Sequence, residues 1–169
     1  MINKIFTYGT LQRGLPNSFC IEDSSIKNIK KGTIEGTLYE VQGVTYPAVI
    51  FNSDNKVEGE LYEIHPEALK KVIKTCDSLE GHPILYIRKV VKVTDEEGNI
   101  HTAYAYEFNS PESLGPEIES GSYRKWLEEN KDYIEYLEYL RFLYYKNKAK
   151  IQVYDELEYF IEDENKENE

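Results

Sequence analysis

Two features of the sequence have residue types suited to chemistry: a carboxylate at a chain break and a glycine turn behind a strand. The carboxylate is Glu80, in Cys76-Asp77-Ser78-Leu79-Glu80-Gly81-His82-Pro83. Gly81 ends the apolar helix before it, so the Glu80 side chain projects from a helix end into a cleft while Leu79 faces the core. A carboxyl partly withdrawn from water has its pKa raised and serves as a base near neutral pH. A solvated helix-end glutamate is the competing reading, since the chain holds 31 acids. The turn is Tyr8-Gly9-Thr10-Leu11, where successive amides can form a concave nest for an anion such as a carboxylate, Gly9 permitting close backbone approach. The alternative is a simple chain reversal packed by Tyr8 and Leu11.

Other chemistries lack their parts. His65, His82 and His101 fall in different elements, and no His, Cys or carboxylate set has metal-ligand spacing. There is no G-x-S-x-G elbow, phosphate-binding glycine loop or dinucleotide fingerprint, so no metal or cofactor is expected. Cys20 and Cys76 are too few for a disulfide scaffold and read as reduced thiols in a cytoplasm. Neither a signal peptide nor a membrane span is expected, because no segment approaches about 18 uninterrupted apolar residues.

The elements that must position these groups fit one domain, since 169 residues leave no room for a multidomain enzyme or a repeat array. Fifteen Tyr and six Phe supply enough apolar matter for a core. The composition predicts six strands: Lys4 to Tyr8, Thr33 to Val41, Tyr46 to Phe51, Val57 to Ile64, Tyr86 to Thr94 and His101 to Phe108. The second to fourth read as an antiparallel meander. Apolar residues at Ala68, Leu69, Val72, Ile73 and Cys76 predict a helix ending at Asp77 or Leu79. Ser110 to Ser122 reads as largely irregular, and a long helix is expected from Tyr123 to about Tyr145. Residues 155–169 hold eight acids and Lys166, which places most of the formal charge of −11 in a solvated, poorly ordered tail. Acidity on this scale argues against nucleic acid and anionic membranes as partners.

Taken in order, several segments carry a resemblance: Tyr8-Gly9-Thr10-Leu11 with Arg13-Gly14-Leu15-Pro16-Asn17, Tyr46-Pro47-Ala48-Val49, Gly59-Glu60-Leu61-Tyr62, Asp77-Ser78-Leu79-Glu80-Gly81 with Tyr86 and Arg88, and Ser120-Gly121-Ser122-Tyr123-Arg124. The set resembles the gamma-glutamylcyclotransferase-like superfamily, in its AIG2-like and gamma-glutamylamine cyclotransferase branch, over about residues 2 to 126. The resemblance implies an α+β fold, a small mixed β-barrel flanked by helices. Residues 127–154 would add a helical extension, its Tyr133, Tyr136, Leu137, Leu140 and Tyr144 packing on the domain or on a partner.

The same resemblance implies roles. Backbone amides around Tyr8, Gly9, Thr10 and Leu11 would hold the α-carboxylate of a γ-glutamyl substrate. Glu80 would take a proton from its α-amine, which attacks the γ-carbonyl of the same molecule and yields 5-oxoproline and a free amine. Tyr86 would bond substrate or Glu80, or else belong to the core; Asn17 and Tyr123 are further substrate-binding candidates. Family members often carry an aromatic and an acid where this chain has Ser122 before Tyr123. The expected protein is a cytoplasmic monomer or homodimer without cofactor. A non-catalytic pocket for a carboxylate-bearing metabolite or peptide end is the rival, because one fold hosts many functions.

Overall fold

The computed structural model describes the backbone of residues 2–166 and the side chains of residues 2–148. The described strands are β1 (Lys4–Thr7), β2 (Ile26–Glu35), β3 (Thr37–Val41), β4 (Ala48–Ile50), β5 (Lys56–Ile64), β6 (Tyr86–Asp95), β7 (Ile100–Phe108) and β8 (Leu114–Glu117). Helix α1 (Leu69–Leu79) lies between β5 and β6, and α2 (Tyr123–Glu129) and α3 (Lys131–Lys166) follow β8. The chain divides into two compact units, Met1–Glu129 and Asn130–Glu169.

Five strands close into a barrel in the order β1-β5-β2-β6-β7. Closure is through a parallel contact of β1 with β7 at Ile5 and Tyr104, every other barrel pair being antiparallel, so the barrel is mixed. Alternation along the strands sorts the side chains. Phe6, Ile34, Val57, Leu61, Val93 and Ala105 are buried on one face. Ile5, Tyr62, Ile64, Tyr106 and Phe108 are buried on the other, in a core shared with Val72 and Cys76 of α1 and with Leu11, Cys20 and Ile21. That second core seats the helix against the barrel, and the end of the helix carries Glu80.

The strand expected over Thr33 to Val41 is two strands, separated at Gly36. A Cβ there would stand 2.9 Å from the Ile50 carbonyl oxygen, a close approach that only glycine permits. The expected meander is therefore corrected: β2 pairs with β5 and β6, while β3 pairs with β4 and β8 in a separate three-stranded sheet. The first half of β2, Ile26-Lys27-Asn28-Ile29-Lys30-Lys31, is rich in polar residues with low strand preference and becomes a strand by pairing along β5. Strand β8 lies in the segment read as irregular; its Gly115 and Pro116 suit a sheet edge, where a missing N–H costs little.

Helix α1 matches its expected span. The long helix does not, because it breaks between Glu129 and Lys131 and then runs on to Lys166, beyond the expected end near Tyr145. In α3, Tyr136, Tyr139, Phe142 and Tyr144 are exposed. The expectation for the acidic tail falls on residues whose side chains lie outside the described set.

Candidate active site

Glu80 is the C-cap of α1, and Gly81 beyond it adopts the left-handed conformation, φ +60°. The N–H of His82 donates to the Asp77 carbonyl at 2.9 Å and that of Gly81 to Ser78 at 3.4 Å, the paired bonds of a Schellman turn. These bonds hold the Glu80 backbone in one place, an arrangement that follows from Leu79-Glu80-Gly81. The side chain is partly buried, and no hydrogen bond or ion pair to its carboxylate is found among the described residues. Loss of water alone pushes its pKa up to about 7. Such a carboxyl exchanges a proton readily at neutral pH.

The turn after β1 is closed by its own polar groups. Gln12 N–H donates to the Gly9 carbonyl at 3.1 Å, and the buried Gln12 amide donates to the Tyr8 carbonyl at 2.8 Å. Asn17 bonds Thr10 twice, main chain to main chain at 3.0 Å and Nδ2 to Oγ1 at 2.8 Å. With carbonyls engaged in this way, the Gly9, Thr10 and Leu11 N–H groups donate in none of the turn's hydrogen bonds among the described residues. Asn17 thus braces the loop. Gly9 packs on Pro47, whose Cγ would be 3.0 Å from a Cβ at position 9.

Pro47 also joins the turn to Tyr86, whose hydroxyl donates to the Pro47 carbonyl at 2.7 Å. The phenols of Tyr8 and Tyr86 both feel the charge of Glu80, so the structure brings these three sequence-derived candidates together. Burial raises both phenols first, and the Glu80 charge raises them further, which keeps them protonated. Tyr8 is buried and donates to the Tyr106 carbonyl at 2.7 Å, so its side chain is a strut while its main chain belongs to the turn. Tyr123 donates to the Thr45 carbonyl at 2.5 Å and stacks on Trp126, and it stands near enough to Tyr86 to raise that phenol.

Cys20 and Cys76 are free and buried. Burial, then the neighbouring Cys20 and Glu80, push the Cys76 thiol up to about 12, so it is not a thiolate nucleophile. Sequence reasoning did not single out Thr45 or Tyr106, and it gave no role to Pro47, Asp77 or Arg88, which stand in the motifs that carried the resemblance. Tyr46-Pro47 was the available signal, since a proline fixes the backbone φ and leaves that residue only a carbonyl for hydrogen bonding. A surface cleft of about 370 Å³ is walled by Gln12 of the turn together with Lys31, Glu58, Glu60 and Arg124, and Glu80 is not among its lining residues.

The site therefore offers a proton-exchanging carboxyl near a turn with undonated amides and two neutral phenols. The model of the family described as "Gamma-glutamyl cyclotransferase, AIG2-like" matches residues 5–125. The chain belongs to that family. Among AIG2-like relatives, a Methanocaldococcus jannaschii protein described as "Putative gamma-glutamylcyclotransferase" is 33% identical over 126 residues, covering 72% of this chain and 96% of its own. A Drosophila melanogaster protein of the same description is 29% identical over 113 residues, covering 63% of this chain and 69% of its own. The crystal structure of a mouse AIG2-like protein superposes with a TM-score of 0.57 at 25% identity, covering 70% of this chain and 86% of that one. A Pyrococcus horikoshii structure shares the fold at 23% identity, TM-score 0.54, over 78% of this chain and 98% of its own. The AIG2-like match ends at residue 125, so α3 lies outside it.

Proposed function

We propose that this protein is a γ-glutamyl cyclotransferase that converts a γ-glutamyl amine or amide to 5-oxoproline and the free amine. The observation that supports it most directly is Glu80, a carboxyl held without partners at a capped helix end, desolvated, and next to the Tyr8–Leu11 turn. In this reading the Gly9, Thr10 and Leu11 amides receive the substrate α-carboxylate. Glu80 draws protons from the α-ammonium, the freed nitrogen bonds to the γ-carbonyl carbon, and the bond from that carbon to the departing nitrogen breaks. The two protons lost by the α-nitrogen end on the leaving amine, with Glu80 as the relay.

Nucleophile and electrophile belong to one molecule, so orientation in the pocket replaces a protein nucleophile and can supply several kcal/mol of barrier reduction. This is consistent with two thiols held protonated by burial. The Tyr86 hydroxyl, with its proton directed to Pro47, keeps its oxygen lone pairs for a second partner and is proposed as a substrate contact. Asn17 and Tyr123 are proposed to act indirectly, by holding Thr10 and the Thr45 carbonyl. Incubation with γ-glutamyl amines and γ-glutamyl amino acids, followed by assay of 5-oxoproline, tests the reading. Thermal stabilisation by these compounds without turnover would instead mark a binding module.

The pH dependence follows from the same carboxyl. The working form is the carboxylate and the Glu80 pKa is about 7, so kcat/KM should fall tenfold per unit on the acid side of about pH 7 and level off above it. Initial rates of 5-oxoproline release across pH 5 to 9 check this. An acid limb near pH 4.5, the value of an unperturbed glutamate, would show that the base is not desolvated.

A further inference from the structure

Six apolar side chains share one face of α3: Tyr133, Tyr136, Leu137, Leu140, Leu143 and Tyr144, spaced at i, i+3, i+4, i+7, i+10 and i+11. Tyr133, Tyr136, Leu140 and Tyr144 are 41–62% exposed, and Leu137 and Leu143 are only part-buried. A helix draws most of its stability from packing such a face, and a continuous exposed apolar stripe marks an interaction surface. Two other rings of these turns have cover from their own helix, Lys146 standing 5.9 Å from the centre of Phe142 and Arg141 5.8 Å from that of Tyr145. The stripe lies outside the AIG2-like match, which ends at residue 125.

We propose that α3 pairs antiparallel with the α3 of a second copy of this chain, with the two-fold axis at Leu140, and so makes the protein a homodimer. Two features of the stripe point to that occupant. The first is its symmetry: Leu137 and Leu143 lie three residues either side of Leu140, and Tyr136 and Tyr144 lie four. Reversing the helix about Leu140 therefore lays leucine on leucine and tyrosine on tyrosine, the self-complementary contact that a two-fold axis requires. The second is charge. After Lys131, the acids Asp132, Glu135 and Glu138 precede Leu140, and the bases Arg141, Lys146 and Lys148 follow it. All six are exposed, and none is in an ion pair among the described residues. Antiparallel pairing runs the acidic turns of one copy along the basic turns of the other, whereas parallel pairing in register sets acid beside acid and base beside base.

Analytical ultracentrifugation of the full chain, from low to high micromolar concentration, should show a dimer. Leu140→Asp sets two carboxylates against each other at the axis and should weaken association by about a hundredfold. The variant should still fold, because Leu140 is exposed in the single chain. Orientation is read by disulfide trapping. Positions 133 and 147 are each seven residues from Leu140, so Tyr133→Cys and Asn147→Cys proteins, mixed under mild oxidation, should form the mixed disulfide faster than either homodisulfide. Cys20 and Cys76 are buried and do not compete. A monomer at every concentration, the result expected if the stripe packs on its own domain or on a different protein, overturns the proposal. A dimer that Leu140→Asp leaves intact overturns it as well, and faster homodisulfides overturn the antiparallel arrangement. None of these readouts needs turnover, so absence of 5-oxoproline from every substrate would count against the cyclotransferase reading and not against the dimer.

Discussion

Glu80→Gln should lower 5-oxoproline formation by about a thousandfold, the scale of a lost general base, with KM changed far less than kcat. The amide has the shape of the carboxyl but cannot take a proton from the α-ammonium, and the thiols nearby are held protonated by burial. Folding should not suffer. The native Glu80 pKa of about 7 lies above the ordinary 4.5, so between those values the native state binds more protons than the unfolded chain. Wild-type stability should fall as pH rises through that window, because the buried group must then hold its charge without a partner. Glutamine has no charge to desolvate, so the variant's melting temperature should gain on wild type from pH 5 to pH 8. Thermal melts at those pH values and rate assays on the same samples separate the two effects. An undiminished rate would remove Glu80 from the mechanism.

Gly59→Ala should be strongly destabilising for so small a substitution. Gly59 pairs with Gly32 across β5 and β2, and a Cβ on it would meet the Thr7 carbonyl oxygen at 2.1 Å and the Phe6 ring at 2.7 Å. The first contact is with backbone, which no rotamer change relieves. Strand β1 would have to move away from β5, and β1 leads directly into the Tyr8–Leu11 turn. Overpacking on this scale costs about 3 kcal/mol, or roughly 10 °C in melting temperature for a domain of this size. Gly98→Ala is the comparison. Its φ of +84° strains an alanine, but nothing stands within 4 Å of the added methyl, so a cost of about 1 kcal/mol is expected. Urea unfolding of the two variants measures the difference. Equal losses would show that the β1–β5 approach is not tight, and a Gly59→Ala protein that folds but loses 5-oxoproline formation would tie the turn's position to this glycine.

Some of this was legible along the chain and some was not. Helix α1 was, because Leu69, Val72, Ile73 and Cys76 repeat at helical spacing and Gly81 stops it. The barrel strands β5, β6 and β7 were, since they are runs rich in β-branched and aromatic residues bounded by turn signals. The start of β2 was not, as its residues are largely polar, Lys27 and Lys31 being exposed, and only the ladder to β5 makes it a strand. Strand β8, with a glycine and a proline in four residues, has no local preference to read. The break at Asn130 likewise has no Gly or Pro to announce it, and apolar spacing continues across it.

The candidate site divides in the same way. Glu80 at a helix stop and Gly9 in a turn after a strand are local facts, set by residue type and spacing, and the ordered motifs around them already resembled the cyclotransferase family. Spacing could not decide between a solvated glutamate and a buried one, because desolvation depends on groups distant in sequence. Tyr8, Cys20 and Tyr86 come from three other elements to stand near Glu80. The partners of Asp77 are likewise distant in sequence, an arginine 11 positions later that pairs with its charge and a tyrosine 29 positions later that donates to it. Local sequence supplied the reactive group; closure of the barrel, which packs α1 against β1 and β7, supplied the water-poor surroundings that raise its pKa to about 7.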